Sequence, residues 1–248
     1  MGYRYDGTYV PNPVSSTSPL DGKKIAFLGD SLTQQSVGYD NAGKVYTHFH
    51  RITPNGANPL DGWGRIIVKN HNMTGIEHGR GMQMWFCTAD RPEGGTTQVD
   101  RLIATDFNPD YIVLELGTND LTGKSFGTVE DVASQTATTT ASAMRYCIET
   151  LQATYPSAKL VVVGAMTRKG RGSTYDARQK EYEPLARDIL SDYGVPYIDI
   201  MREAGISYPM MNTDGIHLAM SKSGGGYEND CEAVRRYARC IESVLMQL

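Results

Sequence analysis

Nowhere does the chain run for the eighteen or so consecutive apolar residues that a membrane-spanning helix needs, which argues against a helical membrane protein. Its first twenty residues, MGYRYDGTYVPNPVSSTSPL, are polar and carry no apolar signal-peptide core. The expectation is a soluble chain without membrane insertion. It also lacks an excess of positive charge. Lys and Arg total 24 against 28 Asp and Glu, a net charge of −4 with a pI near 5.7, so nothing draws it generally to nucleic acid or to an anionic membrane. Cysteine is scarce and scattered: Cys87, Cys147, Cys231 and Cys240 form no CxxC pair, which leaves a zinc or thioredoxin-type framework without support. Cys147 and Cys231 fall in helix-like segments and read as buried thiols. The glycine run Ser223–Gly226 is not followed by GK[ST], and no cluster of acidic metal ligands stands out. Nucleotide-binding and phosphoryl-transfer chemistry therefore find no phosphate loop and no metal site.

What is present suits a single α/β domain. The 248 residues are 40% hydrophobic and 21% charged, enough to bury a core without staples and too apolar for disorder. Residues 1–22, rich in Pro, Ser, Thr and Tyr, read as an extended arm before a domain spanning 23–248. Short apolar runs predict strands at KKIAFLG, GIEHG, DYIVLELG, AKLVVVGAM and GVPYIDI. Helical spacing appears at Trp63–Asn72, from Val129 to Thr154, over Ser173–Gly194, and from Glu228 to Leu248, where Ala233, Val234, Tyr237, Ile241, Val244 and Leu245 share one face. Between Ser36 and Gly62, Gly, Pro and Asn punctuation reads as a long loop-like insertion. Strands alternating with helices imply a mostly parallel, five-stranded sheet covered on both sides.

In such sheets, sites form beyond the carboxyl ends of the strands. Three short blocks sit there: GDSLTQ, GTND and DGIH. In the stretch IAFLGDSLTQQ the apolar run stops at Gly29 and Ser31 follows on a tight turn. A serine hydroxyl is a poor nucleophile until a base takes its proton, and histidine suits that task. His217 can be the base, and Asp214, three residues earlier, can hold its tautomer and stabilise its charged form. The Ser31 N–H and the Asn119 side-chain amide are suitable donors to an oxyanion.

GDSLT, GTND and DGIH, in this order, resemble the signature blocks of the SGNH (GDSL-type) hydrolase superfamily, from about Lys23 to the C-terminal helix. The resemblance implies a three-layer α/β/α, flavodoxin-like fold and a serine esterase. Ser31 would be the nucleophile, His217 the general base, Asp214 its orienting carboxylate and Asn119 an oxyanion donor. The family has a further donor glycine after its second strand, in a pattern like N-x-x-x-x-G. Here the stretch reads IEHGRGMQM, with His78 where an asparagine is often found and fewer intervening residues. Gly81 is the first choice for that donor and Gly79 the second. The mechanism needs protein groups and water only, so no cofactor and no metal is expected.

Other residues have a bland reading beside a sharp one. His48 and His50 would share a strand face but lack a third metal ligand. His71 reads as exposed, and His78 as a cleft contact or a structural hydrogen-bonding group. Arg168, Lys169 and Arg171 follow a strand on the site side and could meet an anionic substrate group or form a solvated loop. Tyr39, Tyr46, Trp63 and Trp85 could border the cleft and stack on sugar rings, core and interface packing being the default for most of them. The insertion SVGYDNAGKVYTHFHRITPNGANPLDGW is polar and aromatic instead of rich in Leu or Ile. That favours a small acyl group, most simply acetyl, on a carbohydrate. The alternatives are a lipase or thioesterase acting on longer chains, and a glycan-binding module on the same fold.

Overall fold

The computed structural model describes residues 18–34, 50–52, 62–85, 98–166, 172–212, 214–218 and 232–248. Strands β1 (Lys24–Gly29), β2 (His50–Ile52), β3 (Thr74–Gly79), β4 (Tyr111–Glu115), β5 (Lys159–Val163) and β6 (Tyr197–Ile198) form one sheet, in the order β2-β3-β1-β4-β5-β6. Helices are α1 (Ser31–Gln34), α2 (Trp63–Asn70), α3 (Gln98–Ile103), α4 (Thr140–Thr154), α5 (Ser173–Asp192), α6 (Ile200–Glu203) and α7 (Glu232–Leu245). Every pairing among β1, β3, β4, β5 and β6 is parallel. Taken in chain order those five strands lie 2-1-3-4-5, the flavodoxin-like arrangement, whose order reverses at the first strand.

Strand alternation sorts the core into two layers. Ile25, Phe27, Tyr111, Val113, Val161 and Val163 point to one side, onto Trp63 and Ile67 of α2 and Tyr237 and Ile241 of α7. Ala26, Leu28, Ile112, Leu114, Leu160 and Val162 point to the other, onto Leu102 of α3, Met144 and Ile148 of α4 and Tyr182 and Ile189 of α5. The result is a three-layer α/β/α sandwich. It explains why these strands read as unbroken apolar runs: both faces are covered.

Three features depart from the sequence reading. β2 is a sixth, antiparallel edge strand inside the insertion, pairing His50 with Glu77. Three residues are too short to leave a periodic signal. The helix expected from Val129 begins only at Thr140, because the Ser and Thr side chains before it bond locally. Ser142 Oγ–H donates to Val132 O at 2.6 Å, and Thr139 caps the helix by accepting from Ser142 N–H at 3.3 Å. Trp63 and Trp85 follow the default reading and are core residues, 0% and 1% exposed. Trp63 packs edge-on to Phe27 at 5.1 Å, and Trp85 Nε1–H donates to Tyr182 Oη at 2.9 Å. His71, expected to be exposed, is partly buried between Ser18 Oγ, 2.9 Å away, and Glu242 Oε1, 3.4 Å away. Leu20 is fully buried with α2 and α7; residues 1–17 of the expected arm, Tyr39, Tyr46, His48, Cys87 and Cys231 lie outside the described residues. Cys147 and Cys240 are free thiols, buried and half-buried.

Glu77, in β3 beside Phe27, is a buried acid with no ion-pair partner among the described residues. Burial pushes its carboxyl from 4.5 up to about 8, against the pull of the Gly79 N–H that donates to it. Between those values the unfolded chain has released this proton while the folded protein keeps it, so stability falls as pH rises across that window. Glu77→Gln preserves an acceptor for Gly79 and has no proton to lose. Urea midpoints measured from pH 5 to 8 should therefore fall less steeply for Glu77→Gln than for the wild type. Asp120, raised to about 7 by burial, and Glu115, raised well above the usual carboxylate range by burial, contribute to the remaining slope. Parallel slopes would show that Glu77 ionises normally.

Candidate active site

The turn after β1 is built by close packing. A Cβ on Gly29 would collide with Thr33 Oγ1 and with the Glu115 carbonyl oxygen of β4, so only glycine lets the chain turn there. Asp30 N–H donates to Glu115 O at 3.3 Å, and Asp30 Oδ1 accepts from Leu32 N–H at 2.8 Å, which starts α1 immediately. Trp63 Nε1–H donates to Leu32 O at 2.9 Å and ties this turn to α2. Ser31 is left half-buried at the sheet's carboxyl edge.

The DGIH segment reaches it from the far side of the sequence. A bridge between Met211 and Leu218 and a 2.7 Å bond from Asn212 N–H to His217 O pinch off the loop. Within it, Asp214 Oδ1 accepts from the N–H groups of Ile216 and His217 at 2.9 and 3.0 Å. Asp214 Oδ2 lies 2.6 Å from His217 Nδ1, and His217 Nε2 lies 2.7 Å from Ser31 Oγ. Partial burial opposes ionisation of Asp214, but the bonds from His217 and the two amides outweigh it and hold the carboxyl below its usual range. With Asp214 ionised, His217 Nδ1 carries the proton and donates to it. Nε2 then accepts from the Ser31 hydroxyl. The arrangement can withdraw a proton from Ser31 Oγ.

Asn119, 3% exposed, points both amide hydrogens at protein acceptors: Nδ2 is 2.8 Å from Asp30 Oδ2 and 2.9 Å from Gln83 O. Its loop is clamped from α5. Tyr175 Oη–H donates to Thr118 O at 2.6 Å and Arg178 Nε–H to Leu121 O at 3.0 Å. Gly117 adopts φ +113° and a Cβ there would strike the Tyr182 hydroxyl, so the first glycine of GTND is also required. After β3, Arg80 N–H donates to Gly29 O at 3.0 Å, and the turn continues through Gly81 and Met82, a non-glycine residue at φ +66°. Gly79 lies inside β3, paired with Gly29, its amide given to Glu77.

Ser31, Asp214 and His217 are thus brought into one hydrogen-bonded chain, and Asn119 is tied to the turn that carries Ser31 through its bond to Asp30. His78 is buried away from it, its Nε2 3.2 Å from Arg101 Nη1. Arg168, Lys169, Arg171 and Ser223–Gly226 lie outside the described residues, as does the His50 side chain. Among the described residues no group of three His, Cys, Asp or Glu side chains is placed to hold a metal. The sequence reading gave no role to Asp30, Gln83, Tyr175, Arg178 or Glu115. Of these only Glu115 left a signal, a lone acid in the apolar run YIVLEL.

A hydroxyl, imidazole and carboxylate stand in series at the switch point of a doubly wound, flavodoxin-like sheet, where sites form in folds of this class. The chain belongs to the GDSL-like lipase/acylhydrolase family, whose sequence profile matches residues 27–220. It is an acylhydrolase by family. No curated protein matches it. Among solved structures, a Lactobacillus plantarum protein aligns with TM-score 0.63 at 20% identity, over 92% of this chain and 98% of its own. A GDSL-like lipase candidate from Bacteroides uniformis aligns at 0.60 and 16% identity, over 92% and 97%. A catalytic mutant of the acetylxylan esterase Axe2 from Geobacillus stearothermophilus aligns at 0.57 and 12%, over 89% and 93%. These likenesses speak to the fold. Among the described residues no helix is long and apolar enough to cross a membrane.

Proposed function

We propose that the protein is a serine esterase that removes small acyl groups, most readily O-acetyl, from a carbohydrate. The observation that carries this reading is the unbroken chain Ser31 Oγ–His217 Nε2, 2.7 Å, and His217 Nδ1–Asp214 Oδ2, 2.6 Å. Ser31 Oγ attacks the ester carbonyl carbon while His217 Nε2 takes its proton, and Asp214 stabilises the imidazolium. Collapse of the tetrahedral intermediate breaks the bond to the sugar oxygen, which leaves with the proton from His217. Water, deprotonated by the same imidazole, then attacks the acyl-enzyme and releases the acid and free Ser31.

The developing oxyanion is bound by the Ser31 N–H, the Gly81 N–H and Asn119 Nδ2–H. Gly81 is preferred to Gly79, whose amide is committed to Glu77. Asn119 contributes by sharing with the oxyanion the hydrogen now held by the neutral Gln83 carbonyl, the bond to the Asp30 carboxylate being the stronger of the two. The choice of acetyl rests on the polar, aromatic insertion and is in keeping with the likeness to an acetylxylan esterase. The family description favours one second reading, a lipase or thioesterase of longer chains. Rates on p-nitrophenyl acetate and octanoate, with acetate release from acetylated glycans, separate the two. Faster acetate ester cleavage together with glycan deacetylation is expected. Faster octanoate cleavage would replace the small-acyl reading with the long-chain one.

A further inference from the structure

Two carboxyl side chains lie buried beneath the proposed nucleophile, and the acyl-transfer steps use neither. Asp30, 1% exposed, accepts from Leu32 N–H and from Asn119 Nδ2–H, both at 2.8 Å. Glu115, the last residue of β4 and 0% exposed, stands beside it. Thr33 Oγ1–H donates to Glu115 Oε2 at 3.1 Å, whereas Glu115 Oε1 is buried with no N–H or hydroxyl donor aimed at it. Among the described residues no cation faces Glu115. Asp30 and Thr33 meet it from the turn between β1 and α1, and its charge would also act on two buried hydroxyls, Tyr237 of α7 and Tyr182 of α5.

Two carboxyls in one apolar site do not both ionise; one keeps its proton. The hydrogen bonds decide which. Asp30 has an N–H donor on each of its oxygens, while Glu115 accepts from Thr33 alone and its Oε1 is bare, so the proton sits on Glu115 Oε1 with Asp30 as its acceptor. Burial pushes Glu115 well above the usual carboxylate range, the adjacent Asp30 adds to this, and the bonds from Thr33 oppose it.

We propose that Glu115 is a positioning residue for ester hydrolysis: as a neutral acid it donates to Asp30 and fixes the carboxylate that orients the Asn119 amide. One Asn119 hydrogen held on Asp30 sets the plane of the amide and therefore the direction of the hydrogen offered to the oxyanion. Glu115 touches neither the substrate nor Ser31 Oγ, and it acts through Asp30. Ionising it places a second negative charge against Asp30, so kcat falls on the alkaline side. The inference rests on the esterase reading and adds this chain's own buried acid to it.

The test compares wild type, Glu115→Gln and Glu115→Met, with an infrared readout that does not depend on turnover. Gln keeps both an acceptor for Thr33 and a donor for Asp30. Glu115→Gln should retain near wild-type kcat and lose the alkaline fall. Glu115→Met should lower kcat by at least about tenfold at unchanged KM, short of the roughly 10²–10³-fold that losing an oxyanion donor itself costs. The infrared difference between wild type and Glu115→Gln at neutral pH should contain a protonated carboxyl band. Absence of that band, a Glu115→Gln defect as deep as that of Met, or full activity of a folded Glu115→Met would each overturn the proposal. Should wild type cleave no acyl ester while the band is present, the esterase reading fails and the carboxyl pairing stands.

Discussion

Ser31→Ala is expected to lower kcat on p-nitrophenyl acetate by on the order of 10⁴- to 10⁶-fold, with the far-ultraviolet circular dichroism unchanged. The size follows from what the hydroxyl does. In the proposed mechanism it forms the covalent bond to the acyl group, and no other nucleophile stands 2.7 Å from His217 Nε2 among the described residues. The residual rate would come from the oxyanion donors and from binding alone. The fold is indifferent to the change, because the turn is held by Gly29 packing and by the Asp30 and Trp63 hydrogen bonds, none of which uses Ser31 Oγ. A variant that hydrolyses esters as fast as wild type would remove Ser31 from the chemistry and favour a glycan-binding module on the same fold.

Asp214→Asn should cost about 10⁴-fold in kcat, with KM little altered. The geometry says why a nearly isosteric change is so damaging. Asn can still accept from the Ile216 and His217 amides through its Oδ1, so the loop keeps its shape. Its NH₂ then faces His217 Nδ1 and donates to it. That forces the imidazole proton onto Nε2, the nitrogen that must accept from Ser31. The histidine is present, correctly placed and in the wrong tautomer. Because the Asp214 side chain is 41% exposed, melting temperature should hardly move. A large loss of stability with proportionate loss of activity would instead mark Asp214 as a structural residue. A change in KM alone would also count against the orienting role.

Much of this architecture was legible from residue order. The strands KIAFLG, YIVLE and KLVVV read as buried because each is apolar on both faces, and the two-layer core requires that. Ser31, Asn119, Asp214 and His217 stood out because GDSLTQ, GTND and DGIH each lie at or shortly after the carboxyl end of a predicted strand. Other features were not legible. β2 is three residues long, too short for a period. The delayed start of α4 depends on Ser142 and Thr139 bonding to nearby backbone, a choice that spacing does not record. Core packing was the default for Trp63 and Trp85, but which elements cover them, α7 at Trp63 and α5 at Trp85, is set only in the fold.

Residue types and their order determined the class of chemistry: a hydroxyl, a carboxylate and an imidazole at strand ends, in a family whose members hydrolyse acyl esters. Asp214 and His217 are near neighbours in the chain, so their partnership is local and sequence alone implies it. The roles of Asp30, Gln83 and Glu115 were decided by tertiary structure. Asp30 and Glu115 are 85 positions apart and meet only because β1 and β4 pair in register, and a carboxyl's proton depends on which donors and charges surround it. Burial and charge proximity are properties of the folded ensemble of neighbours, which is why the same Glu reads as a polar blemish in a strand and stands in the fold as the buried acid beneath the nucleophile.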